Sequence, residues 1–488
     1  MRRMIVLLVG VLVCLACAAP AMAGGYIPYL PDKLEAVGDK AGMLGGVSGT
    51  QISSGSSSST YRAIMHASQL TGFYNPQLIY SCSYIVNAGE DSACPTSITV
   101  KAVFSYNGTN YPVSFGGNTG SYGLGVGGFV VSDPIGVSIP AGATYYVCTY
   151  VTVASNGWPN GRAPMQSGNG EGSNGANGSD ITGSCNSGSS FTSGGYMFGP
   201  HAVVGHPILR GQPVVGLIGD SRYAGSGDTL YTTQTSGYVG YAERALGNNV
   251  AWLSSTRSSD RLDLWILRNT WRDAYFPQFV TTVINELGIN DVTNGDGAST
   301  IESNLQALWA SMQSRGLKVC QDTLLPKTSS SDFFATAANQ TPSAGDSVRI
   351  AVNAWIRANA PCVIDSDAQV EVNGSNVLAI GGGRWWVPST SASTTGNTHA
   401  NGTVDGIPAT TGWAVGHVVC GANIPANDAI VAVNSASQIT LQSAATGTTV
   451  GGALVYDCPS SDGTHPTASL LPALEIPIQS ALTNGQIQ

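Results

Sequence analysis

Charge is scarce in this 488-residue chain: 20 Lys and Arg with 29 Asp and Glu make up only 10% of it. The basic residues form no cluster, which excludes the cationic surface that a phosphate backbone requires, so nucleic acid is not an expected partner. No Cys-x-x-Cys pair occurs, the spacing of a structural zinc site is missing, and no metal or organic cofactor is expected. After the first two dozen residues no apolar run is long enough to cross a bilayer. Residues 24–205 also lack a helical period. The remaining character, 62 Gly with few charges, suits a β-rich exported protein better than a disordered one.

The chain opens with Met1-Arg2-Arg3, an apolar run from Met4 to Ala19, and Ala21-Met22-Ala23 before Gly24. A basic start, a short apolar core and small residues at a cut site predict a secretory signal peptide over 1–23, cleaved near Ala23. The expected location is secreted, periplasmic or on the cell surface, with no stable membrane anchor. Removing the peptide leaves 18 basic and 29 acidic residues, a net charge of −11. It also leaves eight cysteines, an even number that in an exported chain predicts disulfides. Neighbour pairing is the expected pattern: 82–94, 148–185, 320–362 and 420–458. The pair 320–362 has the best case, because both residues lie near strands expected side by side in one parallel sheet.

Three zones follow the signal peptide. Residues 24–205 alternate apolar and polar in runs such as 98–104 and 144–151, which predicts an all-β sandwich, with 168–194 a long Gly/Ser/Asn loop held by Cys185. From 206 to 380, a continuous apolar run at 214–218 reads as a buried strand, and further expected strands at 280–287, 317–325 and 362–365 alternate with helices at 299–314 and 347–359. That pattern predicts a doubly wound α/β domain with a parallel sheet. Ser299-Thr300-Ile301-Glu302 reads as a capping box and Gly316 as the end of that helix. Residues 381–456 break into short β segments, an expected insertion. Residues 457–488 return to the α/β domain and close with a helix at 466–482.

The chemistry lies in three motifs: Gly219-Asp220-Ser221, Gly288-Ile289-Asn290-Asp291 and Asp462-Gly463-Thr464-His465-Pro466. Ser221 follows a buried strand and is expected to begin a turn into a helix, at the carboxyl end of the sheet where such folds bind ligands. A serine hydroxyl needs a base to become a nucleophile, and His465 is the candidate. Asp462, three residues earlier, can orient the imidazole and stabilise its charged form. The Ser221 N–H and the Asn290 amide are candidate oxyanion donors. Gly219, Asp220, Gly288 and Asp291 are expected to shape the loops, the two aspartates by hydrogen bonds. The other five histidines have no metal-like spacing. Trp385-Trp386 is more often a packed corner than an aromatic sugar platform.

Over 213–380 and 457–485 these motifs resemble those of the SGNH, or GDSL, hydrolase family. The resemblance implies a three-layer α/β/α, flavodoxin-like domain with Ser221, Asp462 and His465 as its triad. Leu324-Leu325-Pro326 also looks like the family. One block departs: Ser259 stands where the family has an oxyanion glycine, and a backbone needing positive φ would strain a serine. The family cleaves esters, so an ester substrate is implied, here an O-acetylated polysaccharide acted on by an exported enzyme with accessory β modules. A short-chain lipid or aryl esterase is the nearest rival. A surface carbohydrate-binding protein with a decayed hydrolase domain is the rival from another class.

Overall fold

Val214–Ile218 is an uninterrupted apolar run, and in the computed structural model it forms a strand buried along its whole length. The structure describes residues 33–40, 56–85, 91–155, 157–159, 170–194, 197–230, 237–268, 272 and 276–487. The expected signal peptide and its cut site lie outside these residues. From Leu34 onward the chain is one compact unit, divided from Met1–Lys33. It is mostly sheet with few helices.

Strand β1 (Val214–Ile218) pairs in parallel with β2 (Ala251–Ser254) on one side and β3 (Thr282–Asn285) on the other. Strands β4 (Lys318–Asp322) and β5 (Val363–Ile364) extend the sheet, giving the order β2-β1-β3-β4-β5. The order reverses at β1 and β3, the switch point whose carboxyl ends bind ligands in open α/β sheets.

Successive strand residues point to opposite faces, and here they feed two cores. Val214, Ile218, Val283 and Val319 join one core with α4 (Ala298–Ser314) and α5 (Asp346–Asn359), through Ile301, Leu305, Leu308, Val352 and Ile356. Val215, Leu217, Ile284 and Cys320 join the other with α1 (Gly240–Leu246) and α6 (Leu471–Thr483). Each such buried Leu, Ile or Val contributes about 1.5–3 kcal/mol.

Helix α4 ends as its sequence suggests. Gly316 takes φ +81°, its N–H donates to Gln313 O at 2.9 Å, and Leu317 N–H donates to Met312 O at 3.2 Å, the paired bonds of a glycine-terminated helix. The expected capping box does not form. The helix starts at Ala298 with Gly297 as N-cap, whose extended backbone suits that position, so Ser299 is already inside the first turn.

Before the parallel sheet stand two larger antiparallel sheets and a two-stranded one that pairs Ser83–Ile85 with Asp91–Ala93. One larger sheet contains Phe73–Ser81 and Ala202–Pro207; the other is built on Ser58–His66, Thr144–Val153 and Ile98–Tyr106. The inward residues of these two, among them Leu78, Tyr80, Phe104, Tyr145 and Val203, belong to the same core as Phe276, Val280 and Leu253. Backbone bonds cross here too: Ala36 N–H to Phe279 O at 2.9 Å and Trp252 N–H to Gly38 O at 3.0 Å. The expected loop at 168–194 is partly sheet where it is described. Gly172–Ser173 pairs with the edge of Ser58–His66, because buried Arg62 reaches Gly170 O and Cys185 O at 2.7 and 2.8 Å.

All four neighbour disulfides form, closing spans of 12, 37, 42 and 38 residues. Spans of this length stabilise by about 3–4 kcal/mol each in the chain-entropy picture. Cys320 lies in β4 and Cys362 immediately precedes β5, which pairs with β4. A six-stranded antiparallel sheet occupies Ala392–Thr398 through Thr449–Tyr456 and has its own small core of Val404, Ile407, Ile439, Leu441 and Leu454. Arg384–Trp385, just before it, pairs instead with Glu371–Val372. Among the described residues no helix is long and apolar enough to cross a membrane.

Candidate active site

The exit from β1 is tight. A Cβ on Gly219 would lie 2.6 Å from the Cβ of Tyr223, so only glycine fits between β1 and the next turn. Asp220 is fully buried and Ser221 follows it. Among the described residues the expected helix after Ser221 is absent: residues 221–227 form consecutive turns, and α1 starts at Gly240. Gly225 at φ +83° and Gly227 at φ +90° are incompatible with a helix there. The Ser221 N–H therefore gains nothing from a helix terminus.

His465 approaches from the far end of the chain. Its Nε2 lies 2.7 Å from Ser221 Oγ, and its Nδ1 lies 2.6 Å from Asp462 Oδ2. The other oxygen of Asp462 accepts the N–H groups of Thr464 (2.8 Å) and His465 (2.9 Å), so one carboxylate folds the loop and orients the ring. Burial by itself would raise the Asp462 pKa. The hydrogen bond and charge of His465, with the two N–H donors, outweigh burial and hold the carboxyl well below the usual range.

The loop is fixed from below. A Cβ on Gly463 would fall 1.7 Å from Thr328 O, and Gly463 O accepts from Thr328 N–H at 2.9 Å and Trp385 Nε1 at 3.1 Å. Trp385 is thus a buried support beneath the Asp462–His465 loop and offers no face to a sugar. Arg222, also buried, spends its guanidinium on three carbonyls: Thr464 O (3.0 Å), Leu325 O (3.0 Å) and Pro326 O (2.8 Å). The Cys420–Cys458 disulfide anchors the same loop four residues before Asp462.

Two backbone donors of the loops around Ser221, the N–H groups of Ser221 and Ser259, have no acceptor among the described residues. Ser259 takes φ +63°, the left-handed conformation its position demands, with an exposed side chain. Its loop is pinned to the exit of β1 by Arg257 N–H to Gly219 O at 2.9 Å. Asn290 lies in the first turn of α3 (Ile289–Asn294), after Gly288 at φ +141°. Its Nδ2 donates to Asp220 Oδ2 and Asp260 O, both at 3.1 Å. Asp291, next in the chain, accepts the N–H of Leu262 at 3.1 Å on both oxygens, at the start of α2 (Leu262–Arg268). Burial pushes its carboxyl up to about 7.

Behind Ser221 lies a buried acid layer that the motifs do not contain. Asp220 N–H donates to Glu286 Oε2 at 3.1 Å. Burial, then the charge of Asp220, holds the Glu286 carboxyl well above its ordinary value, and Glu286 Oε1 has no hydrogen-bond partner among the described residues. Asp322, at the end of β4, accepts the hydroxyls of Tyr223 (3.0 Å) and Tyr241 (3.3 Å), and burial pushes it up to about 7. In the sequence Glu286 and Asp322 stand among other polar residues, Asn285 beside the first and Gln321 beside the second, so no local pattern sets them apart. Among the described residues no group of three or more His, Cys, Asp or Glu could hold a metal ion. Three other histidines, His66, His399 and His417, each contact one aspartate.

No family model and no curated protein matches the chain. Among solved structures it is similar to a GDSL-like lipase from Bacteroides thetaiotaomicron VPI-5482, at 12% identity over 57% of this chain and 91% of that one, TM-score 0.30. It is also similar to a member of the lipolytic protein G-D-S-L family from Veillonella parvula DSM 2008 (15% identity, 33% and 87% covered, TM-score 0.22). An acetyl xylan esterase is similar over 32% of this chain and 77% of that one, at 18% identity and TM-score 0.23. With identities and TM-scores this low, the functional reading rests on the site's own distances. In its three motifs the chain resembles the SGNH/GDSL hydrolases.

Proposed function

We propose that the protein is a serine carboxylic-ester hydrolase that works through an acyl-enzyme. The observation that carries the proposal is the unbroken hydrogen-bonded chain from Asp462 through His465 to Ser221. Ser221 Oγ attacks the ester carbonyl as its proton passes to His465 Nε2, and Asp462 stabilises the imidazolium. The developing oxyanion is held by the free N–H groups of Ser221 and Ser259. The Asn290 amide joins them by exchanging one of its two present acceptors. The alcohol leaves with the proton from His465. Water then attacks the acyl-enzyme with His465 as base, releasing the acid and restoring Ser221.

The order β2-β1-β3-β4-β5, with a core on each face of the sheet, supports reading this part as a three-layer, flavodoxin-like α/β/α domain. The two larger preceding sheets are read as a β-sandwich and 392–456 as an inserted module. Four disulfides suit an exported protein. These accessory sheets favour a polymeric ester, and we take O-acetyl groups on polysaccharide as the substrate. The test is acetate release from acetylated xylan, with p-nitrophenyl acetate beside it, for wild type and Ser221→Ala. Ser221-dependent release from both is expected. Hydrolysis of the small ester alone would overturn the polysaccharide assignment, and inactivity on both would overturn the enzyme.

A further inference from the structure

We propose that Lys327 recognises a carboxylate on the alcohol part of the substrate, so that the acetyl group removed is carried by an acidic sugar. This rests on the ester-hydrolase reading above.

Lys327 follows Leu324-Leu325-Pro326 at the exit of β4. The next residue ties the chain to the catalytic loop, Thr328 N–H donating to Gly463 O at 2.9 Å, between Asp462 and His465. The lysine side chain runs the other way. Its Nζ donates to Thr293 Oγ1 at 3.1 Å, on α3. Thr293 lies three residues beyond Asn290, a spacing that puts both on one helix face. Lys327 therefore spans from the loop that carries His465 to the helix that carries Asn290.

Its ammonium is held by little. Thr293 Oγ1 gives its own proton to Ile289 O at 2.9 Å and offers Lys327 a lone pair only. Among the described residues Lys327 has that hydroxyl as its one side-chain partner and no carboxylate within ion-pair distance. Arg222 and Arg384 are matched to backbone carbonyls, while Arg244 is paired with Asp228, Arg357 with Asp365 and Asp367, and Arg349 with three acids. Arg261, on the other flank of α3, is paired with Asp263. Burial, then the charge of Arg222, lowers the Lys327 pKa, while Asp462 and Asp220 hold it up. An ammonium has three donors and only one is used, leaving two for an oxyanion of the substrate. In a chain of net charge −9, which repels anions at long range, an acidic substrate requires such a local cation.

The experiment compares kcat/KM for acetate release from an O-acetylated oligogalacturonide and from the same oligosaccharide with its carboxylates methyl-esterified. Wild type, Lys327→Gln and Lys327→Arg are assayed, with p-nitrophenyl acetate alongside and thermal unfolding to check the fold. Wild type should prefer the charged substrate by about tenfold at low salt, the size of one hydrogen bond to a charged group. The preference should reside in KM, shrink as salt screens it, vanish in Lys327→Gln and return in Lys327→Arg. An unchanged preference in Lys327→Gln, or none in wild type, overturns the inference. So does an equal loss on both oligosaccharides, which would put Lys327 at the reacting centre. Hydrolysis of p-nitrophenyl acetate with neither oligosaccharide cleaved overturns the inference alone. Inactivity on all three defeats the ester-hydrolase reading and the inference with it.

Discussion

His465 Nε2 lies 2.7 Å from Ser221 Oγ although 244 residues separate them. If the two act as one unit, removing either should cost about as much as removing both. Ser221→Ala and His465→Ala are each expected to lower kcat by about a million-fold, and the double variant little further. Ester hydrolysis rates for the three variants check this. Additive losses would separate the two residues.

Asp462 does two jobs, orienting the ring with one oxygen and accepting two loop N–H groups with the other. Asp462→Asn retains an oxygen for the loop but loses the charge beside the imidazolium. We expect a loss of about ten-thousand-fold in kcat, smaller than for His465→Ala. Equal losses in a kcat comparison would contradict an orienting role.

Ser259 holds φ +63° with its side chain in solvent, so the strain of a left-handed residue is not repaid by any side-chain bond. Ser259→Gly should raise stability by about 1 kcal/mol while kcat is retained, because the backbone N–H stays in place. Ser259→Val should lower both. Thermal unfolding and p-nitrophenyl acetate rates decide the matter.

Asp91, in the two-stranded sheet of Ser83–Ile85 and Asp91–Ala93, pairs with buried Arg272 at 2.9 Å, and Arg272 also binds Asp260, the residue after Ser259. Removing one partner of such a buried pair costs about 3–5 kcal/mol. Asp91→Ala should therefore destabilise the fold by that amount. It should also lower kcat by about tenfold, as the Ser259–Asp260 segment loosens. A stability loss with unaltered kcat would sever the N-terminal sheets from the site.

Asp322, Asp291 and Asp367 are each pushed up to about 7, burial being the main cause. A carboxyl whose folded pKa exceeds its unfolded value of 3.8 binds more protons in the folded state between those two values. Stability should therefore fall as pH rises from about 4 to about 7, with the full penalty present above that window. Asp322→Asn keeps an acceptor for Tyr223 and Tyr241 and removes one titrating group. Urea unfolding at pH 5 and pH 8 should show a smaller difference in this variant than in wild type.

Much of the fold was legible locally. Val214–Ile218 matches its apolar run residue for residue, because a strand buried on both faces has no polar positions to blur its ends. Helix α5 begins one residue before the expected 347–359. The helix expected after Ser221 gives way to turns because Gly225 and Gly227 take positive φ. The capping box expected at Ser299 does not form because Gly297, which has no side chain, takes the N-cap. The role of Trp385 depends on a distant contact, the bond from its Nε1 to Gly463 O.

By itself the sequence determined the strand and helix runs, the pool of paired cysteines and the chemical groups of the three motifs. Those properties follow from the periodicity and chemistry of neighbouring residues. Only the tertiary structure decided which groups meet: Ser221 with His465, Asn290 with Asp220 and Asp260, Glu286 with the Asp220 N–H, and Lys327 with Thr293. Such contacts depend on strand order and on how chain ends stack over one sheet edge, and a difference of one ångström, invisible in any local pattern, separates a hydrogen bond from none.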